Sequence, residues 1–113
     1  MKSYCSLHCG HFFGVEKSAY EKNKSFLEGL FRFVSFDPET KALDVTGAQN
    51  LQHDPDKLIE IFNALASLLS EEGRGRIILQ CDAHEICYFR KSMWKLLSVH
   101  IPDDPFDDIH YVS

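Results

Sequence analysis

The stretch from Phe31 to Thr46, FRFVSFDPETKALDVT, reads as two strands folded about a turn. Pro38, Glu39 and Thr40 separate two apolar-rich runs, and proline both presets a turn conformation and cannot donate to a sheet ladder. Successive side chains of a strand point to opposite faces, so Phe31 and Phe33 oppose Val34 and Phe36, and the first strand is apolar on both sides. Something has to cover its second face. In the second strand Leu43 and Val45 mark the buried side, while Lys41, Ala42, Asp44 and Thr46 are left for the other.

Before the hairpin, Tyr4 to Phe13 has strand character. Cys5, Leu7, Cys9, His11 and Phe13 share the more apolar face, expected to meet the core, and Tyr4, Ser6, His8, Gly10 and Phe12 share the other. Lys17 to Glu28 is expected to be helical, with Ala19, Tyr20, Phe26 and Leu27 as its apolar side and Gly29 as its stop. After the hairpin, Leu58, Ile61, Phe62, Leu65, Leu68 and Leu69 recur at spacings of three and four, which predicts an amphipathic helix over Pro55 to Glu72. Asp54 suits its N-cap, Pro55 its first position, Asp56 and Glu60 its positive end, and Gly73 a left-handed stop. A strand at Arg76 to Gln80 follows.

The resulting order is βαββαβ, that of a two-layer, ferredoxin-like α+β sandwich in which two helices cover one face of an antiparallel sheet and leave the other free. Asp82 to Glu85 reads as a turn, and Ile86 to Lys91 and Trp94 to Ile101 can extend the sheet by one or two C-terminal strands. Residues 1–101 are thus expected to form a single α+β domain. Residues 102–113 form an acidic C-terminal tail, with Asp103, Asp104, Asp107 and Asp108 set around Pro105 and Phe106. It reads as a solvated end or as a cover for the free face anchored by Phe106, Ile109 and Tyr111.

A chain of 113 residues, 44% of them hydrophobic, can fill one core without disulfide staples. Seventeen acidic against twelve basic residues give a net charge of -5, and the basic residues look scattered, which argues against nucleic acid as a partner. Neither an apolar leader-like segment nor a run long enough to span a bilayer is found, so the expected setting is the cytosol, without membrane binding, and the four cysteines are expected as reduced thiols.

Cys5, Cys9, His11, Cys81 and His84 are the residues that would hold a metal if one were bound, with His8 and Cys87 nearby. Their spacing argues against it: on an extended strand Cys5 and Cys9 point away from His8, so one ion cannot collect the group. Cysteines acting as small buried hydrophobes are the expected reading. A thiol with a histidine base is the alternative, that of a small Cys/His-dependent enzyme or metal-binding protein, with Asp82, His84 and Glu85 as a further acid and base cluster; no motif surrounds any of these residues or calls for a cofactor. Gly73-Arg74-Gly75-Arg76 lacks the spacing of a phosphate loop, and its arginines read as charges at a helix C-terminus.

Tyr4, Phe12, Phe31, Phe33 and Trp94 are therefore the expected binding surface on the free face, joined by Tyr88. The function expected is that of a small non-enzymatic module for protein interaction or self-association, a protein partner or a homodimer meeting the free sheet face. An acidic regulator or immunity-type protein that neutralises a basic partner through its aspartates fits the same composition.

Overall fold

The computed structural model describes residues 4–52, 55–80 and 84–98. Among these residues eight elements follow one another: β1(Tyr4–Val15), α1(Lys17–Leu30), β2(Phe33–Asp37), β3(Ala42–Gln52), α2(Pro55–Ala66), β4(Leu69–Gln80), β5(His84–Arg90) and β6(Met93–Ser98). The six strands form one antiparallel sheet in the order β2-β3-β1-β4-β5-β6. Two helices and a single sheet make this an α+β protein, with two more elements than the plain βαββαβ of a ferredoxin-like sandwich. The added β5–β6 hairpin extends the sheet beyond β4, as the C-terminal sequence predicts. No helix among the described residues is long and apolar enough to cross a membrane.

One correction concerns α2. The helix ends at Ala66, six residues before the predicted end at Glu72, and β4 begins at Leu69. Leu68 and Leu69 continue the helical spacing, but Leu69 pairs with Val15 and the ladder to β1 continues from Arg74 to Gln80. The Ser67 hydroxyl donates to the Ala64 carbonyl at 2.6 Å as the chain leaves the helix. Burial of both leucines is satisfied either way; the added strand pairing decides between them. Gly73 is accordingly a strand residue packed against Gly14, whose φ of 73° lies in the left-handed region. Gly14 marks a break in register between Phe13 and Val15, a bulge that side chains would not tolerate so close to the Gly73 backbone.

A second break, between Leu7 and Cys9, corrects the predicted faces of β1. Strict alternation is lost at His8, so Leu7 lies in the core and then Gly10 and Phe12 do, while Cys9, His11 and Phe13 turn outward. Phe12, expected on the free face, is fully buried. Phe31, expected there too, precedes β2 and is buried as its N–H closes the last turn of α1 on the Leu27 carbonyl at 2.8 Å.

The core lies between the helices and one face of the sheet. Phe12 meets Phe89 with ring centroids 5.3 Å apart, Phe89 meets Phe62 of α2 at 5.9 Å, and Phe62 meets Trp94 at 5.1 Å. Trp94, another residue expected on the free face, is half-buried on the helix side, and its indole N–H donates to the Asn63 side chain at 2.8 Å. At the other end Tyr20 of α1 stacks on Phe36 at 4.4 Å. The β2–β3 turn falls at the predicted residues; the Glu39 N–H donates to the Asp37 carboxylate at 2.9 Å and Lys41 takes a positive φ of 60°. The acidic tail lies outside the described residues.

The Phe12 ring rests over Gly75, where an added Cβ would come within 2.1 Å of the Phe12 Cδ1. Gly75→Ala is therefore expected to destabilise the protein by about 1–3 kcal/mol through overpacking, read as a lower urea midpoint at unchanged slope. Combining it with Phe12→Leu should recover part of that loss, because the clashing ring edge is gone. An unchanged midpoint in Gly75→Ala would contradict the contact.

Candidate functional site

The sheet face away from the helices is built by strand register into cross-strand rows. One row runs through Phe33, Thr46, Cys9, Ile78, Ile86 and Leu97 and carries no charge. The next runs through Ser35, Asp44, His11, Arg76, Tyr88 and Lys95. Beyond it, Phe13 stands beside Arg74 and Arg90 beside Met93. Large apolar groups are left in solvent here: Phe33 is 66% exposed, Phe13 60% and Met93 59%. Such a concentration on one face is the usual mark of a contact surface.

Charge is segregated across this face. The β2–β3 side presents Asp37 and Asp44; the β4–β6 side presents Arg74, Arg76, Arg90 and Lys95. The sequence-based expectation of scattered basic residues is thereby corrected, since four of them gather within one half of the sheet. They line a cavity of about 890 Å³ together with His11, Phe13, Tyr88 and Met93, and no carboxylate among the described residues lines it. The Arg74 guanidinium donates to the Gly73 and Glu72 carbonyls at 2.8 and 3.3 Å. No ion pair engages Arg76, Arg90 or Lys95 among the described residues. Unpaired cations around a concave, partly aromatic floor attract anions, with the guanidinium forks offering paired N–H donors.

His11 stands at the boundary between the two halves. Its Nδ1 contacts the Asp44 carboxylate on β3, and both side chains are about half exposed. A carboxylate holding one ring nitrogen fixes the orientation of the other, the arrangement that positions a histidine for proton transfer. No thiol or hydroxyl bonds to this histidine among the described residues, the third member that a nucleophilic triad requires.

Of the expected binding surface, then, Phe33 is on the open face, Phe12, Phe31 and Trp94 are not, and the side chain of Tyr4 lies outside those described. Tyr88 does join the open face. Of the expected ligand set, Cys9 and His11 share the open face, while the Cys5 side chain and Cys81 lie outside the described residues. No three His, Cys, Asp or Glu side chains among the described residues are placed to hold a metal ion.

Cys87 points inward beside Phe89 and is fully buried. Burial pushes its thiol up from 9.0 to about 12, with a smaller contribution from the charge of Glu85, against a backbone hydrogen bond from Lys95 that pulls it down. A thiol so firmly protonated is inert as a nucleophile and packs as a small hydrophobe.

No sequence motif marks Arg90, Lys95 or Met93, and Arg74 and Arg76 read there as charges at a helix C-terminus. Their signal is a spacing of two, Arg74 with Arg76 and Tyr88 with Arg90, legible only once β4 is drawn from Leu69 instead of Arg76. Comparison with known proteins returns no match: no protein-family model fits the chain, and no curated protein or solved structure is significantly similar to it.

Alkylation of the native protein at mildly alkaline pH, followed by peptide mapping, should label the half-buried Cys9 and spare Cys87. The native state holds the Cys87 proton more tightly than the unfolded chain does. Its contribution to stability is complete below pH 9.0 and is lost as pH rises through about 12. Cys87→Ala should remove that part of the alkaline loss in denaturation curves, and ready labelling of native Cys87 would contradict its burial.

Proposed function

We propose that this protein is a binding module that acts by association through the open face of its sheet, without catalysis, and that it takes an anion there. The observation that carries this reading is the cavity lined by Arg74, Arg76, Arg90 and Lys95 in a chain whose net charge is -5. Cations held together in a chain that is acidic overall create a local positive field. Its volume lies in the range of small-molecule sites. The finer reading of the fold belongs to the same proposal: a ferredoxin-like sandwich extended by β5 and β6, supported by the adjacency β2-β3-β1-β4 of the first four strands. Burial removes Cys87 as the thiol of the alternative, a Cys/His-dependent enzyme, and leaves Cys9, which shares the open face with His11, as its candidate among the described residues.

A second reading is favoured by the uncharged row from Phe33 to Leu97. Here the occupant of the face is a second copy of the chain. A two-fold axis running along the strands would lay the aspartates of one β2–β3 half over the cations of the other copy's β4–β6 half, making the contact self-complementary in charge. The two readings use the same cations and exclude one another at full occupancy.

Titration calorimetry with pyrophosphate tests the first. Saturable binding that weakens about tenfold or more in Arg76→Glu and in Arg90→Glu is expected, with circular dichroism confirming the fold of each variant. Pyrophosphate heats indistinguishable between the native chain and both variants would overturn it. Light scattering tests the second: a dimer that Phe33→Asp converts to monomer is its expected outcome, and a monomer at all soluble concentrations removes it.

A further inference from the structure

We infer that the cavity on β4–β6 takes a small nucleotide-class ligand, an organic phosphate joined to a planar apolar body. This rests on the reading of the cavity as an anion site and goes beyond it by assigning a role to Tyr88. At about 890 Å³ the cavity far exceeds the needs of a phosphate group alone, so its remaining walls have to meet something else. Those walls are apolar: Phe13, Tyr88 and Met93 are all exposed large side chains on the same face.

Register places the two chemistries side by side. Tyr88 stands directly between Arg76 on β4 and Lys95 on β6, and Arg90 follows two residues along β5 on the same face. A planar ring laid on Tyr88 therefore has cations on three sides within the reach of a phosphate chain attached to it. Aromatic side chains stack on flat heterocycles with little regard to their substituents, and guanidinium groups take up phosphate oxygens in pairs. The combination selects for a ligand that carries both parts.

The extent of the positive region sets the size of the ligand. Across β1 from the cavity the open face turns acidic, with Asp44 beside His11 and Asp37 further out. A nucleic-acid strand crossing the sheet would run its phosphates onto those carboxylates, whereas a mono- or dinucleotide stays within the cationic half. Phosphates on a free nucleotide and on a strand share the same recognition chemistry, so the assignment to the small ligand depends on this boundary.

The test is calorimetry of the full chain with ATP, inorganic triphosphate and a six-residue oligoadenylate, set beside the pyrophosphate titration above. ATP is expected to bind about tenfold or more tighter than triphosphate, the excess coming from the base on Tyr88. Tyr88→Ala should bring ATP down to the triphosphate level measured with the same variant, and Tyr88→Phe should retain the excess. Equal affinities for ATP and triphosphate would overturn the nucleotide assignment and leave the anion site standing. Failure of ATP, triphosphate and pyrophosphate alike would remove both. Tighter binding of the oligoadenylate than of ATP at physiological salt would overturn the small-ligand assignment.

Discussion

The Phe12 ring lying over Gly75 is the contact on which the remainder of the molecule depends. Phe12 is on β1, the third strand in a sheet of six, and Gly75 is its neighbour on β4. Only the absence of a side chain at Gly75 lets the ring lie flat enough to touch Phe89 on β5. Phe89 then passes the contact to Phe62 of α2, and Phe62 to Trp94 of β6, so one aromatic chain passing over Gly75 ties the four adjacent strands β1, β4, β5 and β6 to a helix and reaches the sheet edge. Burying a phenylalanine at such a node is worth about 3–5 kcal/mol against its truncation. The whole margin of a small domain is of the order of 5–15 kcal/mol.

The same contact has a consequence on the opposite side of the sheet. With Phe12 and Gly75 turned toward the helices, strand alternation forces Phe13, His11, Arg74 and Arg76 outward together. The β4–β5 register then sets Tyr88 beside Arg76 and brings Arg90 onto the same face. The cationic cavity is thus the reverse side of the aromatic core. Its four cations come from two adjacent strands and an edge strand, which short sequence windows separate but sheet pairing joins. Asp44 and His11 close off the positive half at β1, leaving a face with opposite charge at its two ends.

The elements that were legible in the sequence are those with local chemistry behind them. Pro38 and its polar neighbours placed the β2–β3 turn, the three- and four-residue spacing of Leu58, Ile61, Phe62 and Leu65 placed α2, and the inward alternation of Leu43 and Val45 held in β3. The elements misread are those in which two local rules agree with two structures. Leu68 and Leu69 extend a helical stripe and are equally good at the head of a buried strand. In the candidate site Phe33 was legible because its strand is flanked by clear signals. Phe12 was not, because an extra residue at the Leu7–Cys9 bulge inverts the alternation downstream of it, and a bulge has no signature in side-chain pattern alone.

The amino-acid sequence by itself determined the class of the protein, its two helices, the central hairpin, the strand extension at its C-terminal end and the burial of most of its apolar residues, because these follow from periodicity and turn chemistry within a few residues. Tertiary structure alone decided where α2 yields to β4, which side of β1 meets the core, and which charges share a face. Those choices rest on pairing between strands far apart in the chain: a shift of one residue at a bulge turns every following side chain to the other face, and only the partner strand decides where that shift falls.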